Sequence, residues 1–428
     1  MPVSIKKEKI AQGVSFTTIT DKKFKTNVLK IKLITELSEN KAPLNTMVAM
    51  LIGSTNSRLK TYSEMSDRLN QLYGSSLFTD TTKSGDCQII TFSADCIGNK
   101  FTFKDEDILE QLIDIAEDCL FLPNVENGKF DKTEFALKKR DLMETIEAEI
   151  NNKRGYAISQ AQKSIFKDEP CAYSQYGTLE LVEKITSEDV YNAYCDLINT
   201  SVVEIYYVTH EENNTVCKRF ANAFSKLERK PQTLRFQTIS PLKEEVCRTE
   251  EKIDVKQSKV VLAFKSSSDD MNACTILSGL FGGTPVSKLF TNVREKLSLC
   301  YYCSSVYVYS KGTILADSGV ENENVGTLTE EVINQLDMIK KGDFTEEELT
   351  NTKLALINNI KSVSDSPSSL IGWYFAGYYK GNIISPEQGI KDIMSVTREQ
   401  LTEAANSFSL DTVYVMAGNE KSVSDEEE

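Results

Sequence analysis

Three stretches of the chain hold residue types able to do chemistry. Cys300-Tyr301-Tyr302-Cys303 has the C-x-x-C spacing found in metal and redox sites. Gly279-Leu280-Phe281-Gly282-Gly283-Thr284-Pro285 is glycine-rich enough to suggest a phosphate cradle, and His210-Glu211 sets an imidazole beside a carboxylate. Each meets a physical objection. Residues three apart on a regular strand point to opposite faces, so the two thiols are not expected to act together. The glycine run lacks the Gly-Lys-Ser/Thr that completes a phosphate loop and reads instead as a helix end leading into a proline turn. His210 closes a strand-like run and is expected in a solvated loop. It is the only histidine of the chain, which excludes any site that needs two imidazoles.

The elements that must position these residues belong to an ordinary globular chain. Its 428 residues leave room for two or three domains at roughly 100 to 200 residues each. Lys and Arg number 49 against 63 Asp and Glu, a net charge of −14, and Ser424-Asp425-Glu426-Glu427-Glu428 adds an acidic end. Nucleic acid, which wants a basic footprint, is therefore not an expected partner. The start, Met1-Pro2-Val3-Ser4-Ile5-Lys6-Lys7-Glu8, carries no apolar leader, and no apolar run is long enough to cross a membrane. A cytoplasmic location without membrane partners is the expectation. The ten cysteines read as small core residues of a reducing compartment. Trp373-Tyr374-Phe375, with Tyr378 and Tyr379, reads as core or interface packing in a helix-like run broken by Gly372 and Gly377.

Two pairs of segments recur at nearly one spacing. Ile185-Thr186-Ser187-Glu188-Asp189-Val190, followed by the strand-like Val203–Val208, returns 211 residues later as Val396-Thr397-Arg398-Glu399-Gln400-Leu401 followed by Thr412–Met416. Phe130-Asp131-Lys132-Thr133-Glu134 returns 214 residues later as Phe344-Thr345-Glu346-Glu347-Glu348. Thr345 with Glu348 and Thr397 with Gln400 have the capping-box spacing of helix starts. The chain thus reads as two copies of one design: a first domain over 1–229, a linker over 230–250 and a second domain over 251–428. In the first, Val28–Ile34 and Gln88–Phe92 are expected strands, and Met47–Ile52 and Tyr62–Leu72 helices. In the second, Val260–Phe264, Tyr301–Tyr309 and Thr313–Ala316 are expected strands, the last two joined through Lys311-Gly312, while Cys274–Phe281 and Ser287–Lys296 are expected helices. Strands and helices mix without a regular βαβ beat, which favours α+β layers.

Gly282-Gly283-Thr284-Pro285-Val286-Ser287-Lys288-Leu289-Phe290-Thr291-Asn292-Val293-Arg294-Glu295-Lys296-Leu297-Ser298-Leu299-Cys300-Tyr301 resembles the second-domain signature of the pitrilysin/insulinase family of zinc peptidases. Leu69-Asn70-Gln71-Leu72-Tyr73-Gly74 falls where the first domain of that family has its Leu-x-x-Leu-Gly-Gly step. The resemblance implies two homologous α/β-sandwich domains of the pitrilysin/LuxS-metalloenzyme kind, each a mixed, mainly antiparallel sheet with helices on one face. An active member carries H-x-x-E-H on the helix before that step, with two histidines on zinc, a glutamate polarising the attacking water and a distal Glu completing the site. Here the matching positions fall on Met47-Val48-Ala49-Met50-Leu51. Met47, Met50 and Leu51 thus stand as degenerate zinc-motif positions, with the distal Glu near Thr145 within Glu144–Glu149. No metal site and no catalytic residue of the chain's own are expected.

The same resemblance assigns substrate binding to Arg294 and Tyr301. In the family an Arg and a Tyr at this spacing reach the peptide backbone and the scissile carbonyl, and a guanidinium and a phenol are donors able to stabilise an oxyanion. The implied function is a non-catalytic subunit of a heterodimeric peptidase: a zinc-bearing homologue supplies metal and base, and this chain closes the chamber around a peptide substrate. Within the family the chain most resembles a bacterial branch named for association with the 5-aminopentanol modification of elongation factor P and encoded as the partner of such a homologue. The alternatives are a pseudo-peptidase that only docks partners, and a homodimer when the chain is alone.

Overall fold

The computed structural model describes residues 3–104 and 106–418, so the acidic Ser424–Glu428 lies outside the described residues. It forms two compact units. The first runs up to Ala148 and adds Tyr173–Arg235 and Pro367–Gly372; the second comprises Glu149–Ala172, Phe236–Ser366 and the chain from Trp373 on.

The first unit opens with strands β1 (Ser4–Ala11), β2 (Val14–Thr20) and β3 (Thr26–Glu36) and helices α1 (Ala42–Ile52) and α2 (Tyr62–Gln71). Strands β4 (Ser76–Ser84) and β5 (Cys87–Ile97), helix α3 (Ile108–Phe121), the short hairpin β6 (Val125–Glu126) with β7 (Lys129–Phe130), and α4 (Lys132–Ala148) follow. After α5 (Lys153–Ile165), which belongs to the second unit, the first resumes with α6 (Leu179–Lys184), α7 (Ser187–Thr200), β8 (Val202–Thr209) and α8 (Thr215–Ser225). The sheet order is β1-β2-β8-β3-β5-β4, parallel only between β2 and β8. Its register carries the core. Leu29, Ile31 and Leu33 of β3 face Ala94, Phe92 and Ile90 of β5 and Tyr207, Ile205 and Val203 of β8. Opposed residues share a face, so these apolar rows form one surface, buried under helices that include α1, α3 and α7; Lys30 and Lys32, between them in sequence, point to the other face.

The second unit continues with β9 (Cys247–Lys252), β10 (Ser258–Lys265), α9 (Met271–Ser278), β11 (Cys300–Val308), β12 (Thr313–Val320), α10 (Val325–Lys340), α11 (Glu346–Val363), α12 (Pro367–Tyr379), α13 (Pro386–Ser395), α14 (Arg398–Ser407) and β13 (Ser409–Ala417). Its sheet order is β11-β12-β10-β13-β9, parallel only between β13 and β9. Strand for strand this repeats β4-β5-β3-β8-β2, with β1 as an added edge in the first unit. The two copies inferred from the sequence repeats are therefore one topology built twice, an α+β fold of mixed, mainly antiparallel sheets. Thr186, Thr345 and Thr397 each close a reciprocal capping box at the start of α7, α11 and α14. Helix α12 runs unbroken through Gly372 and Gly377, and the C-terminal part of the 230–250 stretch is already strand β9. Phe236 of that stretch lies 4.4 Å from the Tyr379 ring and 5.3 Å from that of Tyr378.

Residues 149–172 join the second unit for a physical reason. Ala157, Ala161 and Ile165 of α5, at helical spacing of four, cover Val261, Ala263, Leu315, Tyr414 and Met416 on the sheet face opposite the unit's main helical core. Arg154, one turn earlier, donates from Nη2 to Asp317 Oδ1 at 2.9 Å, and its guanidinium lies 4.5 Å from the Tyr302 ring. The other end of α5 is held by charge: Lys243 and Lys265 both donate to the Ile165 carbonyl, at 2.9 and 3.0 Å, where a helix favours cations. Both ammoniums converge on Asp411, fully buried, with Lys243 Nζ 2.6 Å and Lys265 Nζ 3.3 Å away.

Removing Asp411 strands two partly or wholly buried cations. Asp411→Ala should lower stability by about 3–5 kcal/mol, the usual range for breaking a buried pair, read as a reduced urea midpoint for unfolding. Burial alone would raise the Asp411 carboxyl, but the bonds from Lys243 and the Thr412 hydroxyl outweigh it and hold the group below its ordinary range. A lowered carboxyl contributes stability above its unfolded pKa of about 3.9 and loses it as pH falls through the folded value. The gap between wild type and Asp411→Ala should accordingly narrow on acidification below about pH 4; a gap that widens there contradicts the assignment.

Candidate functional site

Helix α1 is where the family motif would lie. Met47 is 0% and Leu51 1% exposed, both within the first unit's core, and Met50 packs partly buried against it. The helix is held by a buried amide network: Asn45 Nδ2 donates to Gln88 Oε1 at 2.9 Å, while Gln88 Nε2 donates to the carbonyls of Ala42 and Gln175 at 2.9 and 2.7 Å. Helix α4 packs on α1, yet Glu144, Thr145 and Glu147 on it are exposed, and Arg140 lies 3.6 Å from Glu144. Thioether and isobutyl groups offer no hard or imidazole donor, so the residues present do not fit the zinc of the family and no step can run through it. His210 does not supply the lack. Its surroundings correct the expectation of a solvated loop: it is buried at 6% exposure, 5.9 Å from the Phe101 ring and against Gly98, with Nε2 3.5 Å from Glu211.

Arg294 and Tyr301 lie in the second unit. Two wide turns lead to them. Gly279–Gly283 continues α9 as a π-helical turn, and Leu289–Lys296 is π-helical where an ordinary helix was expected. Leu297 N–H bonds back to the Asn292 carbonyl at 3.0 Å, and π-helical insertions of this kind recur at functional sites. Gly282 lets the first turn lie on β11: a Cβ there would fall 2.7 Å from the Ser305 amide nitrogen. The glycine run is thus a close-packing device. Arg294 caps the Phe290 ring at 4.7 Å, reaches Glu295 at 3.4 Å and keeps its side chain 40% exposed.

The chain then turns at Ser298, whose φ of 51° is left-handed, and enters β11. Cys300 pairs with Val320 but Tyr302 with Gly319, so Tyr301 is one residue too many in its strand. This bulge corrects the expectation for the C-x-x-C. Cys300 and Cys303 both face the helix-covered core, at 9% and 6% exposure, because the extra residue restores them to one face. Tyr301 itself swings outward to 59% exposure, and its hydroxyl donates to Glu321 Oε1 at 3.0 Å. That bond raises the phenol above its ordinary pKa, so Tyr301 is a neutral O–H donor at pH 7. Sequence reasoning missed Glu321: counting back across the Lys311-Gly312 turn in unbroken register sets Val320 opposite Tyr301, and only the bulge brings the phenol to Glu321. Nothing in residue type announced the bulge.

The comparisons agree with this fold. Residues 184–356 match the family model described as the peptidase M16 inactive domain. The chain is 29% identical over 415 residues to the probable inactive metalloprotease YmfF of Bacillus subtilis (strain 168), covering 95% of this chain and 96% of that one. A crystal structure of a conserved protein from Enterococcus faecalis V583 superposes with a TM-score of 0.88 at 23% identity, over 97% of this chain and 99% of that one. The peptidase M16 inactive domain from Pseudomonas fluorescens gives 0.81 at 15%, over 97% and 99%. The duplicated α+β fold is thus similar to that of an M16 peptidase domain, and residues 184–356 match the inactive domain of that family. Over nearly its whole length the chain resembles YmfF, a probable inactive metalloprotease.

Two measurements follow. Ser298→Gly should raise the urea midpoint, by about 1 kcal/mol or less in stability, because an L-residue strains the left-handed region and glycine does not; a lowered midpoint would contradict that. Restoring Met47→His, Met50→Glu and Leu51→His together should give neither stoichiometric zinc by elemental analysis nor peptide cleavage. Polar groups at these core positions cost several kcal/mol unless partnered, and no neighbouring group is set to orient the new imidazoles. A stable triple variant that cleaves peptide with one zinc bound would overturn it.

Proposed function

We propose that this chain is the non-catalytic subunit of a two-protein peptidase, paired with a zinc-bearing M16 homologue and offering Arg294 and Tyr301 to a bound peptide. The observation that carries the reading is an asymmetry. The positions that would hold metal have become sealed apolar core, whereas the two donor side chains remain at the surface on a dedicated scaffold of π-turn and bulge. A fold kept only for docking has no need to aim a phenol outward through an irregular strand.

In this reading the guanidinium holds a peptide carbonyl before chemistry begins, and the phenol, exchanging Glu321 for substrate, donates to the carbonyl oxygen as negative charge grows on it. Zinc and the general base come from the partner. The substrate is an unfolded peptide segment, and the homologue's chamber is completed by this chain. Because the donors and the metal sit on different proteins, neither chain cleaves peptide alone.

The test uses the chain reconstituted with the zinc-bearing homologue of the same organism. Tyr301→Phe should lower kcat roughly 100- to 1000-fold, the loss typical of one oxyanion donor, with little change in KM. Arg294→Ala should raise KM as well, and gel filtration should show both complexes intact. Full activity of an intact complex carrying both substitutions would sink the proposal and favour a chain that only docks its partner.

A further inference from the structure

The C-x-x-C of β11 is a pair of cysteines that the fold brings onto one face. Cys300 pairs with Val320 and Cys303 with Ser318, so the bulge leaves the two thiols only two register positions apart. At a rise of about 3.4 Å per residue their Cα atoms are about 6.8 Å apart, at the upper end of the range that disulfides span. Both lie on the helix-covered face, and the Cys303 thiol is hydrogen-bonded to Cys300. Neither is oxidised in this structure. Among the described residues no third histidine, cysteine or carboxylate joins the pair, which removes the four-ligand zinc site that the spacing would otherwise suggest.

We propose that Cys300 and Cys303 form a hydroperoxide-oxidised pair, Cys300 being the sulfur that is oxidised first and Cys303 the thiol that resolves it into a disulfide. The surroundings divide these roles. The Cys303 S–H donates to Cys300, the Ser318 hydroxyl bonds it as well, and the Arg294 guanidinium lies near enough to favour its thiolate; together they outweigh burial and lower Cys300. The same bond, with burial, raises Cys303. A low-pKa sulfur beside a resolving thiol is the arrangement that sensing cysteines share. Cys300, buried at 9% exposure, is closed to a bulky disulfide, so its oxidation requires an oxidant as small as hydrogen peroxide.

The chemistry balances. The Cys300 thiolate attacks one oxygen of the hydroperoxide, the O–O bond breaks, and the alkoxide or hydroxide leaves and takes up a proton, giving the Cys300 sulfenic acid. Cys303 then gives its proton to solvent and attacks the Cys300 sulfur. The S–O bond breaks and hydroxide leaves as water. Two thiols and one hydroperoxide become a disulfide, an alcohol or water, and one further water. The closed ring encloses Tyr301 and Tyr302, so the oxidation state of the pair sets how the bulge aims the Tyr301 phenol. That consequence bears on peptide binding only through the function proposed above, while the oxidation itself is independent of it.

Trypsin releases residues 297–311 as one peptide that contains Cys300 and Cys303 and no other cysteine. The full chain, reduced, is treated with one equivalent of hydrogen peroxide, blocked with N-ethylmaleimide and digested. That peptide should appear lighter by two hydrogens and unalkylated, and take up two maleimides if dithiothreitol precedes blocking. Cys195 and Cys247, the less buried thiols, should remain alkylated. In Cys303→Ser, dimedone should trap a sulfenic acid on Cys300; in Cys300→Ser the peptide should show neither adduct nor disulfide. A doubly alkylated peptide after peroxide has consumed Cys195 or Cys247 overturns the proposal in the wild-type chain, whether or not the variants fold. Dimedone on Cys303 rather than Cys300 would overturn the division of roles.

Discussion

A single surplus residue in β11 governs the chemistry of the second unit. Tyr301 has no place in the ladder with β12, so it is pushed out of the sheet, and Cys300 and Cys303, three residues apart, fall onto the same face. One backbone irregularity thereby exposes a phenol and buries two thiols together. It can persist because β11 is an edge strand, where an extra residue disturbs one neighbour rather than two. The approach of the Gly279–Gly283 turn to Ser305, which a Cβ at Gly282 would forbid, holds the strand from the other side.

The first unit answers the same topology with the opposite choice. Helix α1 carries Met47 and Leu51 inside the first unit's core. Buried donors cost free energy unless a metal or partner satisfies them, so apolar side chains suit these core positions of α1. The Gln88 amide network then ties it to β5 and the Gln175 carbonyl. The two units have thus drifted apart in use while keeping their strand order, since sheet register and helix burial constrain the fold far more than any one side chain at a site.

Much of this was readable in residue order. The Thr345 and Thr397 capping boxes, the recurrence of Ile185–Val190 as Val396–Leu401, the Val203–Val208 and Thr412–Met416 strands and the single histidine announced a duplicated fold without a two-imidazole site, because capping and alternation are local and survive divergence. The expectations that failed were of another kind. Opposite-facing thiols assumed a regular strand, and a solvated His210 assumed that a strand end is wet, whereas Phe101 and Gly98 close over it.

By itself the sequence determined the duplication, the α+β class, the absence of histidine from Met47–Leu51 and the candidacy of Arg294 and Tyr301. All of these rest on residue identity and short-range periodicity, which need no knowledge of the fold to be read. Only the tertiary structure decided that residues 149–172 pack with the second unit, that Asp411 gathers two ammoniums, that Glu321 holds the Tyr301 phenol, and that Cys300 meets Cys303. Each of those depends on register or on contacts between residues far apart in the chain. A shift of one residue in pairing turns a side chain to the other face, and only the packed sheet selects which pairing is made.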